Sequence, residues 1–187
     1  MFHGQLIGQL TMMSEAWYIP PEWLSESEPQ PKTIVEAARL AFRLTNSTAE
    51  RRMSHTTIPL IVHQTWKNTN VETWTDTMCD CVERWLGHAV EGPFAYFLWD
   101  DNGIIEFLNQ YEPAFIEQFM ALAANVERSD IFRVLVTKHV GGIVRIPHLF
   151  SACGFHLYFH LSPSNFPFPL FFGVNNRFRK VLKTDVL

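Results

Sequence analysis

The chain has 187 residues, enough for one domain with a substantial core and too few for two of ordinary size. An apolar content of 47% with 18% charged residues excludes a chain that is disordered throughout. Its 15 basic residues are scattered among 19 acidic ones, for a net charge of -4, which leaves no basic stripe to follow a nucleic acid.

Residues 1 to 32 read as an irregular, mobile leader, Met-rich at first and then broken by Pro20, Pro21 and an acidic run to Pro31. It lacks the basic flank and unbroken apolar run of a secretory signal. No stretch of about 18 apolar residues precedes position 146, so no membrane span is expected there. Thr33 and Glu36 have the spacing of a reciprocal helix cap, and Ile34, Ala38, Ala41, Phe42 and Leu44 give the apolar face of a helix over 33 to 44. Asn46, Ser47 and Thr48 fit the N-glycosylation tripeptide, a short pattern that matters only if the chain enters the secretory path.

From Ile58 the pattern changes. Ile58 to Val62 is an apolar run of strand length ending in polar His63, Gln64 and Thr65. A helix is expected over 72 to 86, and a second strand over Phe94 to Trp99, closed by the turn and helix-start cluster Asp100, Asp101, Asn102 and Gly103. Ile104, Leu108 and Tyr111 recur at helical spacing, Pro113 restarts a helix through Leu122, and a longer helix runs from Asn125 to His139, stopped by Gly141 and Gly142. Ile143 and Val144 would open a third strand.

Strands alternating with helices imply an α/β fold, a parallel sheet covered on both faces, with ligands at the carboxyl ends of the strands. The polar clusters at 63 to 67 and 100 to 103 fall at those ends. The organisation expected is an N-terminal arm with a short helix over 1 to 57, a core over 58 to 144, and an irregular Phe- and Pro-rich tail over 145 to 187. From Ile146 to Asn176 there is no Asp, Glu, Lys or Arg, and Pro163, Pro167 and Pro169 oppose a membrane helix. Cys153, His156 and His160 have loosely metal-like spacing without a fourth ligand, and Cys79 and Cys81 are poorly placed to bridge each other.

Taken in order, Ile58 to Lys67 with His63, Gln64 and Trp66, then Val71 and Trp74, then Phe97 to Asp100, resemble the opening of the family 32 glycosyltransferases. Tyr111 to Phe115 stands where that family has a Tyr-Pro-Trp-Phe stretch. Val126 to Arg133 is similar to its Arg-Ala-Asp-x-x-Arg-Tyr element, and His139 to Ile143 to its His-Tyr-Gly-Gly element. Within the family the wording is most similar to the fungal enzymes that mannosylate inositol phosphorylceramide. The resemblance implies a GT-A (Rossmann-like) nucleotide-sugar fold, GDP-mannose as donor, a glycolipid or glycan acceptor, manganese (Mn2+), a Golgi membrane setting and a membrane-bound regulatory subunit as partner. By the same resemblance, the nucleotide-sugar contacts are expected from His63, Gln64, Trp66, Asp100, Arg128, Asp130, Arg133, Gly141 and Gly142.

The chemistry of the residue types agrees in part. Asp130 and Arg133, three apart on one helix, share a face, so a carboxylate and a guanidinium could grip sugar or ribose hydroxyls together, although the same spacing also suits a simple surface ion pair. Trp66, Trp74 and Trp99 could equally be core, and His63 and His139 hydrogen-bonded structural residues.

After its Gly-Gly turn the family continues into Asp-x-Asp, whose carboxylates point to one metal. This chain reads Ile143, Val144, Arg145, Ile146, Pro147 instead, and holds no Asp-x-Asp at any position. The chain as written is therefore expected to be inactive or nearly so, with two functions in view. One is a mannosyltransferase whose carboxylates would follow Val144 in a continued product. The other is a non-catalytic remnant acting as an interaction fragment.

Overall fold

The computed structural model describes residues 16–25, 29–145 and 157–158. The expectations for Cys153, His156, His160 and most of the Phe-rich tail lie outside these residues. A mixed α/β layer structure is built from strands β1 (Trp17–Tyr18), β2 (Ile61–Thr65), β3 (Ala95–Trp99), β4 (Ile143–Arg145) and β5 (Leu157–Tyr158), ordered β1-β3-β2-β4-β5 in one sheet. Strands β2, β3 and β4 are parallel; β1 and β5 add antiparallel edges.

The helices are α1 (Ile34–Asn46), α2 (Asp76–Glu91), α3 (Asp101–Tyr111), α4 (Ile116–Met120) and α5 (Asn125–His139). Their starts follow local chemistry. The Thr33 hydroxyl accepts the Glu36 N–H at 3.2 Å, and Glu36 reaches back to the Lys32 N–H at 2.7 Å. Thr75 caps α2 through the Met78 N–H, and Asp100 caps α3 through the Gly103 N–H at 2.8 Å. At α5 the Glu127 carboxylate accepts the Ala124 N–H.

The two faces of the sheet are sorted by strand period. Ile61, Phe97 and Trp99 face α1, α3 and α5, joining Val35, Leu40, Ile104, Phe107, Phe132 and Val136 in the main core. Val62, Tyr96 and Leu98 face α2, against Met78, Val82 and Leu86. Handedness accounts for this division. The crossover from β2 through α2 reaches β3 on one side of β2, while the crossover through α3, α4 and α5 reaches β4 on its other side, so right-handed connections put the two sets of helices on opposite faces.

Several expectations change: α2 runs over Asp76–Glu91 and not 72 to 86, and the tail expected to be irregular supplies β5. Strand β2 starts three residues later than the apolar run and continues through His63, Gln64 and Thr65, because all three polar side chains find partners inside the protein. The leader is not mobile at 17 to 24: Trp17 and Tyr18 pair with Phe97 and Tyr96, while Ile19 and Trp23 are buried in the main core. Those four apolar side chains gain more from burial than an exposed arm would retain in chain entropy. The amino edge of the sheet is tied by Glu112, which accepts bonds from Lys138 at 2.6 Å and His139 at 2.7 Å. Burial pushes the Glu112 carboxyl up, but those two partners outweigh it and hold the group below the usual range.

Candidate functional site at the carboxyl edge of the sheet

Because the chain leaves β2 in one direction and arrives at β4 from the other, strand order reverses at β2, and open α/β sheets take their ligands beside the carboxyl ends of the strands at such a point. Thr65 ends β2 there, and α5 lies over that face. Arg133 is 9% exposed; one guanidinium nitrogen bonds the Asp130 carboxylate and another donates to the Thr65 hydroxyl at 3.3 Å. Its Nε is buried with no hydrogen-bond partner among the described residues. A buried donor left alone costs about 1–3 kcal/mol.

Asp130 stands at the rim, its side chain 44% exposed. Burial raises its carboxyl while Arg133 opposes the shift, and burial lowers the Arg133 guanidinium while Asp130 opposes that. Both directions describe a pair drawn partly out of water. On β2's other flank, the Trp66 N–H donates to the Trp99 carbonyl at 2.9 Å, extending the ladder by one residue and setting Trp66 beside Asp100. Burial and the neighbouring Asp100 raise the Asp101 carboxyl, with Arg128 acting against them. The Arg128 guanidinium donates to the Met120 and Leu122 carbonyls at 3.1 and 3.0 Å, fixing the turn between α4 and α5.

Trp66, Asp100, Arg128, Asp130 and Arg133 are thus gathered along one edge. His63 and Gln64 lie beneath it, fully buried. The Trp99 indole N–H donates to His63 Nδ1 at 3.0 Å, which leaves Nε2–H to donate to the Gly141 carbonyl at 2.9 Å. Tyr96 donates to Gln64 Oε1 at 2.8 Å, and Gln64 Nε2 to Cys81 Sγ at 3.4 Å. Gly141 and Gly142 lie elsewhere, at the amino end of β4, since Val62 pairs with Ile143. There both have positive φ, and a Cβ on Gly142 would come within 2.5 Å of the Ile61 carbonyl oxygen.

Thr65 and Asp101 join the edge without having been singled out among the candidate contacts. Thr65 could have been found by strand period, since it shares the face of His63. Asp101 adjoins Asp100 in a helix-start cluster.

His63 carries a pH prediction. Burial lowers its pKa from 6.5 to about 4, against the bond to Gly141. The unfolded chain then binds the extra proton first, so stability is full above about pH 6.5 and falls as pH drops toward 4. The loss reaches about 3 kcal/mol. Urea midpoints measured from pH 7 to 4 should show this fall, and His63→Gln should remove that component of it.

Among the described residues no three His, Cys, Asp or Glu side chains are grouped so that they could hold a metal ion. Of the carboxylates at the edge, Asp100 caps a helix, Asp130 is paired with Arg133, and Asp101 stands next to Asp100 with its carboxyl raised by burial. No helix among them is long and apolar enough to cross a membrane.

Comparison with known proteins gives the relationship. The chain is 36% identical over 86 residues to inositol phosphoceramide mannosyltransferase 2 of Schizosaccharomyces pombe, covering 46% of this chain and 23% of that protein. It is 31% identical over 87 residues to inositol phosphoceramide mannosyltransferase 1 of the same yeast, 46% of this chain and 26% of the relative. A mannosyl phosphorylinositol ceramide synthase of Saccharomyces cerevisiae is 31% identical over 87 residues, 46% of this chain and 22% of its own length. The chain thus spans about a quarter of the length of the curated relatives it matches and is related to these fungal mannosyltransferases. No family profile and no solved structure matches it.

Proposed function

We propose that this chain carries the donor-binding part of a GT-A-like, family 32 mannosyltransferase domain, which takes GDP-mannose for transfer to inositol phosphorylceramide or a glycan. The observation that supports it most is the buried Arg133, held by Asp130 and Thr65 at the point where strand order reverses. In such a transfer an acceptor hydroxyl displaces a nucleoside diphosphate from the sugar. The protein must hold that leaving group and orient the sugar. Asp130, at the rim, accepts from a sugar or ribose hydroxyl. Arg133 fixes the carboxylate and sets a positive charge behind it. Trp66 and Asp100 flank the same edge. His63, Gln64, Gly141 and Gly142 act as positioning residues that hold β2, β3 and β4 together beneath it.

With no Asp-x-Asp in the sequence, the chain would bind the donor without turning it over. A Golgi membrane setting and a membrane-bound regulatory partner are what the family resemblance implies, and they belong to the same proposal.

Isothermal titration with GDP-mannose tests the binding step. The chain should bind, and Arg133→Ala or Asp130→Asn should weaken binding by roughly 10- to 100-fold, the worth of a charged hydrogen bond of about 1.5–3 kcal/mol. Circular dichroism should show that both variants keep the fold. An unmutated chain that ignores GDP-mannose would leave the interaction-fragment function standing. Manganese-dependent release of GDP in the presence of acceptor would overturn the expected lack of turnover.

A further inference from the structure

We propose that Asn46 is an acceptor site for an N-linked oligosaccharide, on the edge of the sheet opposite the proposed donor site. Asn46, Ser47 and Thr48 are the only Asn-x-Ser/Thr tripeptide without proline at its centre in the 187 residues. All three are exposed. Asn46 is the last residue of α1, and its contact with Arg52 is made through the main-chain carbonyl at 3.4 Å, not through the side-chain amide. Ser47 closes the helix by donating to the Leu44 carbonyl at 2.7 Å, and Thr48 is extended, with φ -142 and ψ 141 and no capping bond from its hydroxyl. Releasing one terminal turn of α1 therefore presents the tripeptide in extended form. Helix ends open most readily.

The position is also harmless to the proposed site. Helix α1 begins beside the start of α3, where a Cβ on Gly103 would lie 3.0 Å from Ile34, and thirteen residues carry its other end about 20 Å away. Just beyond that end, the Leu60 N–H, at the start of β2, donates to the Arg51 carbonyl at 3.0 Å, which fixes the location at the amino edge.

In the transfer, the amide nitrogen of Asn46 attacks the anomeric carbon of a lipid-linked oligosaccharide diphosphate supplied by the cell's own transferase. A C–N bond forms as the C–O bond to the diphosphate breaks; the amide gives up one proton and the lipid diphosphate departs. For its use in the cell the modification rests on the membrane setting of the proposed function, so the test separates the two. The full chain is translated with microsomes, with and without an added cleavable secretory leader. With the leader, the protease-protected chain should gain one increment of mass removable by an endoglycosidase. Asn46→Gln and Thr48→Ala should abolish that increment, and Thr48→Ser should retain it. A protected chain without the increment, or an increment that survives in Asn46→Gln, overturns the assignment. The chain without the leader reads the membrane setting alone, and loss of protection there would count against that reading while leaving the Asn46 result standing.

Discussion

Gly142→Ala is expected to cost about 3–5 kcal/mol, a large part of the roughly 5–15 kcal/mol that holds a domain folded. Two effects add. At φ +92 a side chain strains the backbone by about 1–3 kcal/mol. The new Cβ would also stand 2.5 Å from the Ile61 carbonyl oxygen, a main-chain atom of the central strand that cannot swing aside. Relief requires β4 to move away from β2, which breaks the pairing of Val62 with Ile143 and the bond from His63 to Gly141. Urea denaturation reads the effect directly. Gly141→Ala should cost less, because its Cβ meets the Pro59 ring at 2.9 Å and not a main-chain atom. A Gly142→Ala chain as stable as the unmutated one would mean that the turn is not built as described.

Trp99→Ala is expected to cost a similar amount, about 3–5 kcal/mol, by opening a cavity in the main core. Trp99 is fully buried, with its ring set edge-on to Phe107 at 5.6 Å and Phe132 at 5.2 Å between centroids. It joins the sheet to α3 and α5 together. Trp99→Phe separates packing from hydrogen bonding: it keeps an aromatic ring but removes the N–H that His63 Nδ1 accepts. That buried acceptor, left without a donor, is the part of the cost that Trp99→Phe reads, roughly 1–3 kcal/mol. Thermal melts of the two variants give both numbers. If Trp99→Phe matched the unmutated chain, the indole bond to His63 would carry no weight.

Both sites explain why several residues that look like ligand contacts in the sequence take internal roles. His63 and Gln64 follow an apolar run and are polar, which suggests the mouth of a loop. In the structure β2 extends through them, and each is satisfied by partners on neighbouring elements. Gly141 and Gly142 combine the flexibility of a phosphate loop with the needs of a tight turn, and the register of β4 puts them at the amino edge, away from Arg133. Asp130 and Arg133 keep the relation their spacing foretells, since three residues along a helix bring two side chains to one face wherever the helix lies.

What the sequence determined alone is what depends on near neighbours: the cap at Thr33, the start of α3 at Asp100, the span of α5 from Asn125 to His139, and a stop at a glycine pair. Capping and periodicity act over four residues or so and are written in order along the chain. Tertiary structure decided which of those elements meet. The His63 ring is held by Gly141, 78 residues away, and Trp99, 36 away, and Arg133 reaches Thr65 across 68. No local pattern encodes such pairs, because they exist only after the crossovers have placed β3 and β4 on opposite sides of β2 and buried the polar end of the central strand.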